Sequence, residues 1–293
     1  MENHLKEHIE YLLCVNIDSV RSVSGGDISR AYLLKTETER FFCKVNYGEN
    51  ALGMFNAEKA GLEAIAETMT IAVPTVLLCE GLEKGGLLLM EYIEPKNGSS
   101  EEMAHFGNQL ATLHRNTALH SESETASFGW EADNFIGSLP QLNRKNTDWS
   151  KFYVSERLLP QLKLARQHNR LQTNEIPSEE RLLKTCRNFF PKVTPSLLHG
   201  DLWSGNYLIS SSGTPYLIDP ATYFGHHEVD IAMTRLFGGF GKDFYNAYTE
   251  HFPKIGGEPE RNDIYQLYYL LVHLNLFGGS YRASVTNILN RYF

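Results

Sequence analysis

Three oxygen-bearing side chains set among short apolar runs constrain this chain more than any other feature. Residues 197–209 read LLHGDLWSGNYLI, and residues 215–219 read PYLID. Asp201 and Asn206 stand five positions apart, Gly205 precedes the Asn, and Asp219 follows thirteen residues later. The stretches NYLIS and PYLID flank the turn SSGT and read as two short strands. A loop, strand, turn and strand end in that order fold back on themselves and can bring Asp201, Asn206 and Asp219 to one mouth. Such a set suits a hard divalent cation together with a base. Mg²⁺ takes oxygen ligands, keeps several waters, and is usually held by one or two carboxylates together with substrate phosphates. The plain alternative is a turn Asp that satisfies local backbone amides. It requires several independent spacings to match by accident.

The Asp-x4-Asn spacing also reproduces the catalytic loop of protein kinases, in which the Asp accepts the substrate hydroxyl proton and the Asn holds a metal. Phosphoryl transfer then makes demands upstream. SGGDIS supplies a turn between two strands, where Gly25 and Gly26 would let backbone N–H groups approach phosphate oxygens. Taken alone, a Gly-Gly hairpin is common. Lys44 lies in FFCKVN, a strand pattern in which a lone Lys is costly unless paired. Glu58, on the following helical stretch, can point back at it, and such a pair would hold the Lys against the α- and β-phosphates. The rival reading of Lys44 is a solvated edge-strand lysine. LLLMEYIEP ends this part of the chain, and the backbone of Glu91, Tyr92 and Ile93 is the natural hinge to meet adenine.

The fold class expected is α+β with two lobes: a β-rich lobe over residues 1–93 and a larger helical lobe over 97–293, with ATP between them. Residues 2–13 read as an amphipathic helix, and 19–46 as three strands. Residues 50–68 read as a helix, and VPTVLLCEG and GGLLLMEYI as two further strands. Beyond a cap candidate at Ser99 or Ser100, helical patterns cover 150–172, 178–190, 228–253 and 260–278. The chain of 293 residues carries a net charge of −8 and no long basic run, which argues against nucleic acid and anionic membranes as partners. No apolar run approaches the roughly 20 residues of a membrane span. The N-terminus lacks the pattern of a signal peptide. The four cysteines form no CxxC pair, so a cytoplasmic protein with reduced thiols is expected.

Several segments carry a family likeness: HGDLWSGN (199–206), IDPATYFGHHEVDIAMTRLFGGF (218–240), FGWEADNFIGSLPQLN (128–143), DWSKFYVSERLLPQL (148–162), YQLYYLLVHLNLFGGSY (265–281) and AEKAGLEAI (57–65). Together they cover most of the chain. With them the sequence resembles the fructosamine kinase (ketosamine 3-kinase) family, a kinase-like group related to the aminoglycoside and choline kinases. HGD-x4-N is shared by many small-molecule kinases. Trp203-Ser204, the Gly-His-x-Glu-x-Asp stretch and the segment around Asn134 and Gln141 point to this family more sharply. The resemblance implies transfer of the γ-phosphate of ATP to the sugar 3-hydroxyl of a ketosamine, free or protein-bound. It implies Asp201 as base, Asn206 and Asp219 as Mg²⁺ ligands, and Lys44 with Glu58 as the group that orients the phosphates. A carboxylate of ordinary low pKa suffices for that base. Two positions depart from the family: His227 stands where Arg is frequent, and Asp27 where some members carry a Cys.

Around this nucleus the roles divide less sharply. His199 and Asp230 read as structural support for the loop, and His114 as a helix-end residue meeting carbonyls or the helix dipole. Trp203 either stacks on the sugar or wedges the loop. Tyr223, His226 and Glu228 are candidates for substrate contact. Asn134 and Gln141 are open between substrate and loop support. Tyr265, Tyr268 and Tyr269 read as one packed helix face. The alternatives to a ketosamine kinase are a phosphotransferase acting on an aminoglycoside, amino-alcohol or plain sugar, and a catalytically silent kinase-like binding module. A silent relative is expected to have lost a metal ligand or the base, and this chain keeps them. The sequence leaves monomer or dimer undecided.

Overall fold

The computed structural model describes residues 1–23, 29–116 and 126–293. The expected positions Gly25, Gly26 and Asp27 lie outside them. The first part of the chain is a five-stranded antiparallel sheet ordered β1-β2-β3-β5-β4, from β1 (Ser19–Val23), β2 (Arg30–Lys35), β3 (Arg40–Asn46), β4 (Val76–Leu82) and β5 (Gly85–Glu91). Period-two alternation in RFFCKVN splits β3 between two layers. Phe41, Cys43 and Val45 pack with Leu5 and Ile9 of α1 (Asn3–Leu13). Phe42, on the other face, meets Phe55 and Leu62 of α2 (Ala51–Glu67). Lys44 shares the Phe42 face and therefore projects under α2. On α2, Phe55, Glu58, Leu62 and Ile65 recur at helical spacing, so Glu58 sits on the stripe turned to the sheet.

The chain leaves the sheet through β6 (Pro95–Lys96), which pairs with β10 (Tyr207–Ser210); β10 in turn forms a hairpin with β11 (Pro215–Leu217). α3 (Ser100–Arg115) opens on a capping box: Ser99 accepts from the Glu102 N–H, and the Glu102 carboxylate accepts from the Ser99 N–H. A short hairpin, β7 (Asn134–Ile136) and β8 (Leu139–Gln141), precedes α4 (Trp149–Phe152). α4 passes through a π-helical stretch, Tyr153–Leu158, into α5 (Leu159–Gln167). After α6 (Glu179–Phe189), β9 (Ser196–Leu198) pairs antiparallel with β12 (Tyr223–Gly225), with Leu198 opposite Tyr223. The chain ends in α7 (Glu228–Leu236), α8 (Gly241–His251), α9 (Glu258–Phe277) and α10 (Arg282–Tyr292).

The single helical stretch expected over 228–253 is two helices. Gly238 and Gly239 adopt positive φ, 72° and 102°, and turn the chain between α7 and α8. The β7–β8 and β9–β12 pairs and α10 carry too few residues of clear period to stand out in the sequence. Tyr265, Tyr268 and Tyr269 are fully buried along α9 with Trp149, Phe152 and Tyr153, in the largest apolar cluster. A second cluster joins Ile65 and Ile71 to Phe106 and Leu110 of α3 and Phe244 of α8. It ties the end of α2 to the helices behind the β10–β11 hairpin. Among the described residues no helix is long and apolar enough to cross a membrane.

Candidate active site

Lys44 is 8% exposed and would be a costly charge without partners. It has two. Its ammonium donates to Glu58 Oε1 at 2.7 Å and also to Asp219 Oδ1. Burial opposes the charge on Lys44, but Asp219 and then Glu58 outweigh it and hold the group protonated. Asp219 reaches the Lys from a turn just past β11, with a backbone φ of +56°. A non-glycine residue in that region stores strain, and such residues cluster at functional sites.

The loop after β9 carries the other half of the site. Asn206 donates its amide to the Asp201 carbonyl at 2.8 Å and to Asp201 Oδ2 at 3.2 Å, which closes the loop across its five-residue span. Its own carbonyl oxygen is then the atom left for a cation. Asp201 is pushed up to about 7, first by burial and then by the Asp219 charge, with the Asn206 bond pulling the other way. A base of ordinary low pKa would suffice; here burial is the main reason the carboxyl lies higher, and the Asp219 charge adds to it.

The loop's backbone is held from behind. Asp230 on α7 is fully buried and accepts the N–H groups of His199 at 2.8 Å and Gly200 at 2.9 Å. Burial works against its charge, but the His114 bond, the nearby imidazoles and the Gly200 N–H leave it below the usual carboxylate range. His199 donates from Nε2 to the Ile218 carbonyl at 2.8 Å and accepts the Asp201 N–H on Nδ1 at 3.2 Å. One imidazole thus links the loop of Asp201 to the strand end next to Asp219, and burial keeps it below its ordinary pKa. Gly200, at φ +84°, lies so close to the next segment that a Cβ there would fall 2.0 Å from the Ala221 carbonyl. His114 lies in the last turn of α3, as expected, but its ring meets side chains and not helix-end carbonyls. It is buried and bonds Asp230 at 3.1 Å and the Tyr248 hydroxyl at 2.7 Å.

Three expected substrate contacts sit elsewhere. Tyr223 is fully buried on β12, its ring covered by the Arg157 guanidinium 3.8 Å away. His226 is 1% exposed and bonds the Tyr265 hydroxyl at 2.8 Å. Glu228 is taken up by a fork of two bonds from Arg261, at 2.6 and 2.7 Å. The pairing of β12 with β9 takes Tyr223 into the core, and His226 and Glu228 are engaged by Tyr265 and Arg261 of α9. Trp203, in contrast, is 38% exposed beside the Asp201 loop, folds against Gly205, and meets Phe237 edge-on.

Asn134 and Gln141 are loop support. Asn134 donates to the Thr222 carbonyl at 2.8 Å, and Gln141 to the Ala221 carbonyl at 3.1 Å. Both amides meet Asn143 or one another, Arg157 donates to Asn143 at 2.7 Å, and Tyr268 donates to Gln141 at 2.8 Å. This buried network clamps the segment that follows Asp219. Sequence reasoning gave Asn143 and Arg157 no role and read Tyr268 only as part of a packed helix face; a charged Arg amid an apolar helical run was the signal available. At the sheet edge, the N–H groups of Glu91 and Tyr92 bond Thr75 and Arg40 carbonyls. Of the three hinge residues, Ile93 alone, among the described hydrogen bonds, keeps an uncommitted N–H.

Lys44, Glu58, Asp219, Asp201 and Asn206 thus meet between the five-stranded sheet and the helices. Among the described residues no group of three or more His, Cys, Asp or Glu side chains could hold a metal by itself. The Asp219 carboxylate and the Asn206 side-chain amide oxygen fit the pattern of a Mg²⁺ that depends on phosphate oxygens and waters for its remaining ligands. The sequence model of the fructosamine kinase family matches residues 1–293. A protein named as a probable ketoamine kinase from Enterococcus faecium is 40% identical over 92% of this chain and 94% of its own. The chloroplastic protein-ribulosamine 3-kinase of Arabidopsis thaliana is 40% identical over 94% of this chain and 83% of its own. A solved structure bearing the fructosamine-3-kinase name, from Haemophilus somnus, superposes with a TM-score of 0.86 at 26% identity, covering 99% of this chain and 96% of that one. An aminoglycoside phosphotransferase, APH(4)-Ia, shares the fold alone, at a TM-score of 0.64 and 14% identity. The chain belongs to the fructosamine kinase family.

Proposed function

We propose that this protein transfers the γ-phosphate of ATP to the sugar 3-hydroxyl of a ketosamine, free or attached to a protein amine. The observation that carries the reading is the convergence of Lys44, Glu58 and Asp219 with Asp201 and Asn206, in a chain whose relatives are named for ketoamine and ribulosamine phosphorylation. The chain divides near residues 93–97 into a nucleotide-binding lobe and a catalytic lobe. Lys44, oriented by Glu58, holds the α- and β-phosphates. The backbone around Glu91, Tyr92 and Ile93 meets the adenine, with the Ile93 N–H as the free donor.

Asp219 and the Asn206 side-chain amide oxygen would hold Mg²⁺, which would supply charge neutralisation for the phosphates. Lys44, bonded to both Asp219 and Glu58, stands beside that position. Asp201 orients the acceptor hydroxyl and takes its proton. Little covalent work falls to the protein in phosphoryl transfer, so positioning and electrostatics dominate. Asp230 and His199 fix the loop from behind, and Trp203 lines the acceptor side.

The test is ATP consumption by purified enzyme with a panel of ribulosamine, erythrulosamine and fructosamine adducts, alongside choline, an aminoglycoside and plain sugars. Turnover with one or more ketosamines is expected. Turnover confined to choline, the aminoglycoside or plain sugars would overturn the reading.

A further inference from the structure

Behind the Asp201 loop runs a chain of hydrogen bonds that no catalytic role accounts for. The Asp230 carboxylate, which accepts the His199 and Gly200 N–H groups, bonds His114 Nε2 at 3.1 Å. His114 Nδ1 bonds the Tyr248 hydroxyl at 2.7 Å. The same hydroxyl bonds His227 Nδ1 at 2.9 Å. The His227 ring stacks on Phe252 with centroids 4.0 Å apart. Tyr248 is 4% exposed, so the series is sealed from water over most of its length.

With a neutral imidazole at His114, donor inventory gives the series one direction. An ionised Asp230 only accepts, so His114 carries its proton on Nε2. In a neutral imidazole Nδ1 is then a lone pair, and Tyr248 donates to it. A hydroxyl has one proton, so its second bond must be accepted, and His227 donates from Nδ1. Position 227 therefore needs a donor. Arg is a donor with no acceptor atom and meets the same demand. Burial keeps the His227 imidazole neutral, down to about 3, consistent with donation from one nitrogen only.

We infer that Tyr248 and His227 are positioning residues of the catalytic loop, fixing the His114 tautomer and through it the Asp230 carboxylate that holds the backbone before Asp201. The inference rests on the reading of Asp201 as the catalytic base. Removing the Tyr248 hydroxyl frees His114 to change tautomer or turn, and Asp230 loses a donor while the loop loses register.

The experiment combines steady-state kinetics of the full-length enzyme with ¹⁵N NMR of its histidines. Tyr248→Phe is expected to lower kcat about 10-fold with KM for ATP within two-fold of wild type, assayed well below the melting temperature. His227→Phe, which keeps the stacking, should lower kcat about 3-fold. His227→Arg and His227→Gln, which keep a donor, should restore it. The double variant Tyr248→Phe/His227→Phe should be no slower than Tyr248→Phe, since both cut one series. At pH 7.5 the spectra should show His114 protonated on Nε2 and His227 on Nδ1. Unchanged kcat in folded Tyr248→Phe, His227→Arg as slow as His227→Phe, or His114 as an imidazolium would each overturn the inference. Asp201→Asn serves as the control: if it keeps full turnover, the reading of the loop fails; if it is inactive while Tyr248→Phe is unaffected, the relay alone fails.

Discussion

The Lys44 ammonium bonds Asp219, 175 positions away in sequence, while it also bonds Glu58. Two carboxylates from separate parts of the chain therefore share one buried cation. On the proposed mechanism Lys44 is the cation that meets the phosphates, with Glu58 orienting it. Lys44→Met should reduce kcat/KM for ATP about 100-fold, or about 2.7 kcal/mol of transition-state stabilisation. KM for the ketosamine should stay within two-fold. Equal losses in both KM values would show that Lys44 shapes the whole cleft and does not act on the nucleotide.

Asp201→Asn separates chemistry from stability. A positioned general base contributes about 10²–10⁴-fold, so turnover should fall by that factor while Mg-ATP binding, read by calorimetry, remains. The stability change has the opposite sign. The Asp201 carboxyl is pushed up to about 7 in the fold, above an ordinary value near 3.9. Between those values the folded state holds a proton that the unfolded state lacks, so this group's contribution to stability falls as pH rises from about 4 to about 7. The Asn variant should then melt higher than wild type at pH 8, by about 1–2 kcal/mol once solvent screening is allowed for, and the gap should close toward pH 5. An Asn variant less stable than wild type at pH 8 counts against a cost of burying the Asp201 charge next to Asp219.

The elements legible in the sequence are those with strong period or strong spacing. Lys44 sits on the α2 face of β3 because RFFCKVN alternates, and Glu58 falls on the inner stripe of α2 because the helix repeats; both follow from local pattern. Asp201, Asn206 and Asp219 were legible through their spacing around two short strands. Tyr223, His226 and Glu228 were not, because three-residue β9 and β12 give no periodic signal, and the partners of His226 and Glu228, Tyr265 and Arg261, lie 39 and 33 positions away. The role of His114 was hidden for a similar reason. Its partners Tyr248 and Asp230 lie 134 and 116 positions away, and nothing local specifies them. Gly238 and Gly239 were visible in the sequence, but an apolar pattern on both sides read through them as a single helix.

The neutral buried imidazoles set the protein's acid limit. His199, His226 and His227 are all held below the ordinary histidine value by burial, with neighbouring positive groups adding to it at His226 and His227. Each is protonated in the unfolded chain below about pH 6.5 but not in the fold, so stability is lost as pH falls through that region. Well below 6.5 each contributes about 1.4 kcal/mol of loss per pH unit. Urea denaturation of wild type and His226→Gln at pH 7.5, 6.5 and 5.5 isolates one ring from the opposing Asp201 contribution, at a constant m-value. His226→Gln should flatten the slope by the share of one group. A pH slope unchanged in His226→Gln would contradict the buried neutral state of that ring.

Arg157 anchors the clamp on the segment after Asp219. It is fully buried, donates to Asn143 Oδ1 at 2.7 Å and to the Leu142 and Glu156 carbonyls, and lies over the Tyr223 ring. Arg157→Met keeps much of the volume but leaves these acceptors without their donor and removes the cation from the aromatic face. Buried acceptors stranded in this way cost about 1–3 kcal/mol, and a buried cation–π contact adds about 2 kcal/mol. A loss of about 3–5 kcal/mol is expected, read as a drop in the urea midpoint at constant m-value. Asn134→Ala, which removes the single bond to Thr222 and the acceptor for Gln141 and Asn143, should cost less and leave the protein folded. In that milder variant the segment after Asp219 is loosened with the core intact, so KM for Mg-ATP should rise about 3–10-fold while the Asp201 loop, held separately by Asp230, keeps its geometry. A variant with normal Mg-ATP affinity but a low kcat would place the clamp on the acceptor side of the reaction and not on the nucleotide side.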